Sequence, residues 1–221
     1  MTEAGQQTVS VVVIDDHAFF GESLARLLGF EDDIEVLGVG ANGREALKLV
    51  KRFRPRVLLL DYDIPEGNGV LVATEIKRTW PETMIVMITG STDDRLLLQA
   101  IEAGCSGYLT KGRAASEVAD AVRGAAAGEA LISPAQMARL LPKLARSSHE
   151  VGWDLTERER EVLGMLARGA TNKAIAFEFF LGVNTIRDDV QAILTKLGAH
   201  SKLEAVATAV RERIIDYDSL P

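Results

Sequence analysis

Three carboxylates stand where apolar runs stop. Asp15 and Asp16 follow VSVVVI, and Asp61 closes VLLLD. Short runs of Val, Ile and Leu bounded by polar residues read as buried strands. In an open parallel sheet, ligands bind at the carboxyl ends of the strands, beside the point where strand order reverses. Three acids arriving there repel one another and need a cation. All-oxygen ligands, with positions left for water and phosphate, suit a hard octahedral ion, Mg²⁺ above all. Two more strand ends add complementary groups: the hydroxyl of Thr89 after MIVMI and the ammonium of Lys111 after GYLT. A hydroxyl and an ammonium facing a metal-bound carboxylate make a site for a phosphoryl group carried on that carboxylate. Singly, each of these residues is as well explained by a solvated loop. Their order, each at the end of its own strand, carries the chemistry.

The elements that position them follow from periodicity. From Val9 to about Ala127 the runs VSVVVI, IEVLGV, VLLL, MIVMIT and GYL alternate with amphipathic stretches, the pattern of five β/α units around a parallel sheet. In NGREALKLVKRF, Ala46, Leu47, Val50 and Phe53 fall on one helical face. Pro65 and Gly69 suit a tight turn after Asp61. A Ser-Pro helix start, Pro142 and the polar RSSHE then read as one short helix and a linker over 128–153.

From Leu155 onward no strand-like run occurs. Four amphipathic helices are broken at Gly169, Gly182 and Gly198. Thr156 with Glu159 forms a capping box ahead of Val162, Leu163, Leu166 and Ala167, and Thr171 can cap the next helix. The third helix, Val183 to Leu197, carries the apolar stripe Val183, Ile186, Val190, Ile193, Leu194 and Leu197. Its opposite face presents Asn184, Arg187, Asp188, Gln191 and Thr195, with Asp189 at the edge. Arg, Asn and Gln suit bidentate base contacts, and Asp188 can accept from cytosine N4. Lys173, Thr185, Lys196 and Lys202 suit phosphate contacts around them. Periodicity alone explains this face equally well as the solvated side of a helix bundle.

Composition sets bounds. A chain of 221 residues, 47% apolar, can bury more than one core. The formal charge of −7 opposes non-specific attraction to nucleic acid. From Asp154 to the end there are nine Lys/Arg against eleven Asp/Glu, so one helical domain should hold DNA weakly unless dimerisation adds affinity. The lone Cys105 has no disulfide partner and fits a packing role. No run of 18 apolar residues occurs, and Met1 to Thr8 lacks a basic and an apolar leader segment, so a cytoplasmic protein without a membrane partner is expected.

The paired acids, LLLDYDIPEGNG, ITG and GYLTK together resemble the receiver domain of bacterial two-component systems, over residues 8–127. The segment from LTEREREVLGML to KLEAVATAV resembles the LuxR/NarL-type, or GerE-type, helix-turn-helix domain, over 154–216. The resemblance implies an α/β fold, a flavodoxin-like (βα)₅ receiver followed by a small all-α four-helix domain. It implies that Asp61 is the phosphoacceptor, with Mg²⁺ held by Asp15 or Asp16, Asp61 and the carbonyl of Asp63. Thr89 would move toward the phosphoryl group, Tyr108 would rotate inward behind it, Lys111 would pair with a phosphoryl oxygen, and Gly90 would leave room beside it.

The implied protein is a response regulator transcription factor, not an enzyme acting on an external substrate. Its partners would be a histidine kinase, promoter DNA and a second copy in a homodimer. Two departures matter: Gly182 stands where the family usually has Ser, and Asp189 where it usually has His. The Asp188-Asp189 pair keeps open an alternative, a phosphorylation-controlled protein-interaction module with weak or no DNA binding. Asp61-Tyr62-Asp63 also resembles the Asp-x-Asp of haloacid-dehalogenase-type phosphatases. That family places the motif on its first strand, whereas here it follows the third.

Overall fold

The computed structural model describes residues 8–65, 68–112, 115–132, 136, 137, 140 and 155–215. Most of the linker expected over 128–153 therefore lies outside the described residues. The first half alternates β1 (Val9–Ile14), α1 (Ala18–Leu28), β2 (Ile34–Gly40), α2 (Gly43–Phe53), β3 (Val57–Asp61), α3 (Gly69–Thr79), β4 (Met84–Thr89), α4 (Asp94–Glu102), β5 (Gly107–Thr110) and α5 (Ala115–Ala126). The strands form one parallel sheet in the order β2-β1-β3-β4-β5. Chain order reverses between β1 and β3, which is where a ligand crevice opens.

The aliphatic runs are continuous because both faces of the sheet are covered. Along β1, Val11 and Val13 pack with α1 and α5, while Val12 and Ile14 pack toward α2, α3 and α4. Along β3, Val57 and Leu59 alternate with Leu58 and Leu60 in the same way. All four β3 side chains are fully buried, so truncating Leu59 to Ala would cost roughly 2–5 kcal/mol. Helix starts follow their caps: Asn42 accepts from the Glu45 amide, and Asn68 from the Leu71 amide.

The second half is helical: α6 (Glu157–Ala167), α7 (Asn172–Glu178), α8 (Val183–Leu197) and α9 (Lys202–Arg211). Thr156 and Glu159 close both bonds of the expected capping box. Thr171 caps α7, and Gly198, in the left-handed region at φ 61°, ends α8.

The helical domain rests on the sheet domain. Ser201, the N-cap of α9, donates from Oγ to the buried Cys105 carbonyl at 3.0 Å, and Lys202 Nζ pairs with Glu129 at 2.8 Å. Gly104 makes this approach possible. Its φ is +82°, and a Cβ there would stand 3.2 Å from His200 Cβ and 3.1 Å from Lys77 Cγ. Cys105 is buried at the same seam, and burial pushes its thiol pKa up to about 12, consistent with packing rather than reactivity.

Candidate functional site

Strand register brings the carboxyl ends together. Ile14 lies beside Leu60, and Asp61 beside Ile88, so Asp15, Asp61 and Thr89 emerge at one level; Thr89 lies beside Thr110, which places Lys111 next to them. Asp15 and Asp61 are almost completely buried, 2% and 1% exposed. Lys111 Nζ bridges them, 2.8 Å from Asp15 Oδ2 and 2.7 Å from Asp61 Oδ2. Burial raises the Asp61 pKa and the nearby Asp15 charge adds to this, while the Lys111 bond opposes it. Burial works against the Lys111 charge, but its bonds to Asp15 and Asp61 outweigh that, and its pKa is raised. The Phe20 ring, 5.0 Å from Nζ, closes one side of the ammonium.

Asp15, Asp16, His17 and Asp61 each offer a ligand atom within 4.8 Å of the others. Two buried carboxylates share one ammonium here, so the pocket retains negative charge, and its oxygen donors fit a hard divalent cation. His17 is an addition to the residues expected from sequence. Its amide donates to Asp15 Oδ1 at 2.9 Å, and its Nδ1 lies 2.6 Å from Asp16 Oδ1. Adjacency to the acid pair was its only sequence signal. The Asp63 side chain is exposed and outside this group; its amide donates to Asp61 Oδ1 at 3.3 Å.

Thr89 is fully buried, and its Oγ1 accepts from the Ser91 amide at 3.1 Å. Tyr108 already lies inward, 7% exposed, with its hydroxyl donating to the Ser91 carbonyl at 3.2 Å. Burial is the main cause of its raised pKa, against a lowering bond with Thr89. Gly90 sits in open space, since a Cβ there would meet nothing within 4 Å. Gly69 is the glycine that the pocket requires: a Cβ would fall 2.3 Å from the Asp61 carbonyl oxygen. The turn geometry expected from sequence is thus joined by a close approach that holds α3 against the end of β3.

The residues expected to meet DNA separate into two sets. Lys173, Asn184, Arg187, Asp188 and Gln191 are exposed, and Thr185 is half-buried. Lys196, by contrast, pairs with the buried Glu159 at 2.7 Å, and Lys202 is buried against Glu129, just beyond α5. In this arrangement Lys202 is closed to a phosphate. Arg187 and Gln191 face the sheet domain across clefts lined by Arg56 and Ala127.

Asp189 corrects the expected edge position. It is buried and accepts from Arg158 Nη2 at 2.6 Å. The helix turns it inward beside Ile186 and Val190, so its charge is neutralised inside the domain rather than set against DNA.

The comparisons agree with this architecture. Residues 11–123 match the family described as response regulator receiver domain, and 154–209 match bacterial regulatory proteins, luxR family. The chain belongs to the LuxR-type response regulators, proteins with a receiver domain followed by a DNA-binding helix-turn-helix domain. It is 31% identical over 208 residues to the response regulator protein VraR of Staphylococcus aureus, covering 94% of this chain and 99% of that protein. Among solved structures, the signal receiver domain of the putative response regulator NarL from Mycobacterium tuberculosis is 33% identical, with a TM-score of 0.54, over 56% of this chain and 99% of that one. Response regulator ChrA of a heme-sensing two-component system is 25% identical, with a TM-score of 0.51, over 94% of this chain and 99% of that one. No helix among the described residues is long and apolar enough to cross a membrane.

Proposed function

We propose that this response regulator accepts a phosphoryl group on Asp61 and that the modification releases its helical domain to bind promoter DNA as a dimer. The observation that carries the proposal is the buried Asp61 carboxylate held 2.7 Å from Lys111 beside Asp15. A carboxylate oxygen of Asp61 would attack the phosphorus of a histidine kinase's phosphohistidine. The P–N bond would break as the new O–P bond forms, returning the electron pair to the imidazole. Mg²⁺ held by Asp15, Asp16 and Asp61, with the Asp63 carbonyl, would supply positive charge for the phosphoryl oxygens. Lys111 would exchange its contact with the free carboxylate for one with a phosphoryl oxygen. Thr89 would turn its hydroxyl from the Ser91 amide toward the same group, with Tyr108 filling the space behind it.

The output lies in the docked helical domain. With Arg187 and Gln191 facing the sheet domain and Lys202 held by Glu129, the recognition helix is poorly placed for a major groove. Phosphorylation needs only to shift the balance between docked and released arrangements. In the released form Asn184, Arg187, Asp188 and Gln191 would meet base edges, while Lys173, Thr185, Lys196 and Lys202 would lie near the backbone. The alternative of a protein-interaction module loses half of its support, because Asp189 is paired inside the domain.

Beryllofluoride with Mg²⁺, which mimics the aspartyl phosphate, tests this. It should raise affinity for a selected DNA site and shift the chain toward dimer, and Asp61→Asn should abolish both responses. A wild-type chain that shows no site preference with or without the mimic would return the interaction module to first place.

A further inference from the structure

Two arginines from different domains line one interdomain cleft. Arg56 precedes β3, and Arg187 lies on the recognition helix α8; with Ser10 and Ala127 they wall a cavity of about 680 Å³. Neither guanidinium has a carboxylate partner among the described residues. Arg56 donates from Nε and Nη2 to the Ala126 carbonyl at 3.1 and 2.6 Å, and Arg187 makes one long contact of 3.4 Å with Asn184. Arg54, Arg95, Arg123, Arg158 and Arg211 have acidic partners, whereas these two guanidiniums, one from each domain, face a single shared space.

Arg56 and Arg187 also border an adjoining cavity of about 170 Å³, whose wall includes Asn172, 4% exposed. Two exposed guanidiniums turned to one cleft offer several N–H donors to an anion lying between them. A small anion seated there would accept from both domains at once.

Resting on the docked arrangement above, we infer that this cleft is an effector site for a small phosphorylated compound, which would clamp Arg56 to Arg187 and hold the recognition helix closed. Guanidinium pairs bind phosphate oxygens bidentately, and the cavity is in the range that accepts a ligand of metabolite size. By linkage, an anion that binds only the docked form must weaken DNA binding by the factor by which DNA weakens the anion.

The experiment uses the full unphosphorylated chain and inorganic pyrophosphate, titrated calorimetrically against sodium chloride of matched ionic strength. A nucleoside diphosphate in a parallel arm distinguishes recognition of the bare phosphates from recognition of an attached group. Saturable one-to-one binding is expected. It should fall about tenfold or more in Arg56→Gln and in Arg187→Gln. Because Arg56 lies outside the DNA-reading face, Arg56→Gln should leave DNA affinity of the beryllofluoride-treated chain unchanged. This separates failure of the effector site from failure of the DNA-binding proposal. Arg187 is exposed, so its variant tests the cleft even where loss of the Arg56 bonds to Ala126 perturbs α5. Heats no greater than those of the salt control, or binding that survives both arginine substitutions, would overturn the assignment.

Discussion

The pocket at the sheet's carboxyl edge and the recognition helix use charge in opposite ways. In the pocket, Asp15 and Asp61 are buried with fewer cations than they need, and one ammonium is shared between them. In the helical domain the buried carboxylates each have a basic partner: Glu159 with Lys196, and Asp189 with Arg158. An under-neutralised cluster is a place for chemistry, because an incoming cation or phosphoryl group completes it. A neutralised pair is a place for structure. The same residue types therefore have different prospects in the two regions, and substitution should show it.

The largest difference is expected at Asp61. Asp61→Asn should eliminate labelling from acetyl phosphate, read by phosphoprotein electrophoresis, while stability stays equal or rises, since a buried carboxylate with a raised pKa is removed. Labelling of this variant at the wild-type rate would place the acceptor elsewhere. Next comes Gly69→Ala. With a Cβ falling 2.3 Å from the Asp61 carbonyl, α3 or the end of β3 must shift, at a cost of roughly 1–3 kcal/mol in chemical denaturation and with slower labelling. An alanine tolerated without loss of either would mean that the turn, not the close approach, is what this glycine supplies.

A third test lies where the two regions meet. Lys77 is 2% exposed on α3, its Nζ donating to the Pro81 carbonyl at 3.2 Å, with Cys105 and Glu204 near it. Burial lowers its pKa from 10.5 to about 8. Between those values the unfolded chain binds more protons than the native one, so this group makes stability rise with pH across about 8 to 10.5. Below pH about 8 the full penalty of a buried charge applies. Lys77→Met should therefore stabilise the chain at pH 7, by up to about 3 kcal/mol at 1.36 kcal/mol per pKa unit. The gain should shrink toward pH 10.5, as read from the difference between paired denaturation curves. A gain that does not change with pH would show that packing, not charge, is responsible.

How much of this was legible depended on the range of the interaction. Strands, caps and the gathering of Asp15, Asp61, Thr89 and Lys111 follow from local pattern plus the geometry of a parallel sheet, and they are visible in sequence. Contacts between domains have no such signal. Nothing in KLEAVATAV marks Lys202 as the partner of Glu129, and nothing in AGCSGYL marks Gly104 as the seat for His200. The place of Asp189 could have been found. It lies three residues after Ile186 and one before Val190, so the helical spacing that set it at the edge of the polar face also borders the buried stripe, and the structure turns it to that side. Gly69 shows the opposite case, in which turn chemistry gave a sufficient explanation and so concealed the close approach to Asp61.

The smallest effect concerns that inward carboxylate. Asp189 is buried, one of its oxygens has no hydrogen-bond partner, and Arg158, which is half exposed, meets the other. Removing the arginine leaves a charge without its counterion, a strong penalty in a sealed interior but a weaker one where water can replace the guanidinium. Arg158→Ala should therefore cost about 1–2 kcal/mol in urea denaturation. Asp189→Asn should cost less, because the amide oxygen can still accept from Arg158 and no charge is buried. In the double variant the penalty of the unpaired carboxylate disappears, so the sum of the single costs should exceed the measured total. Asp189→His is expected to destabilise the domain without tightening its hold on scrambled DNA at low salt, since the position faces the core. Asp188→Ala, on the exposed face, should leave stability unchanged and alter preference at one base position. If Asp189→His instead strengthened binding to every sequence while folding as well as wild type, the carboxylate would be acting on DNA, and the contrast between a charge held for chemistry and a charge held for structure would fail at the residue chosen to display it.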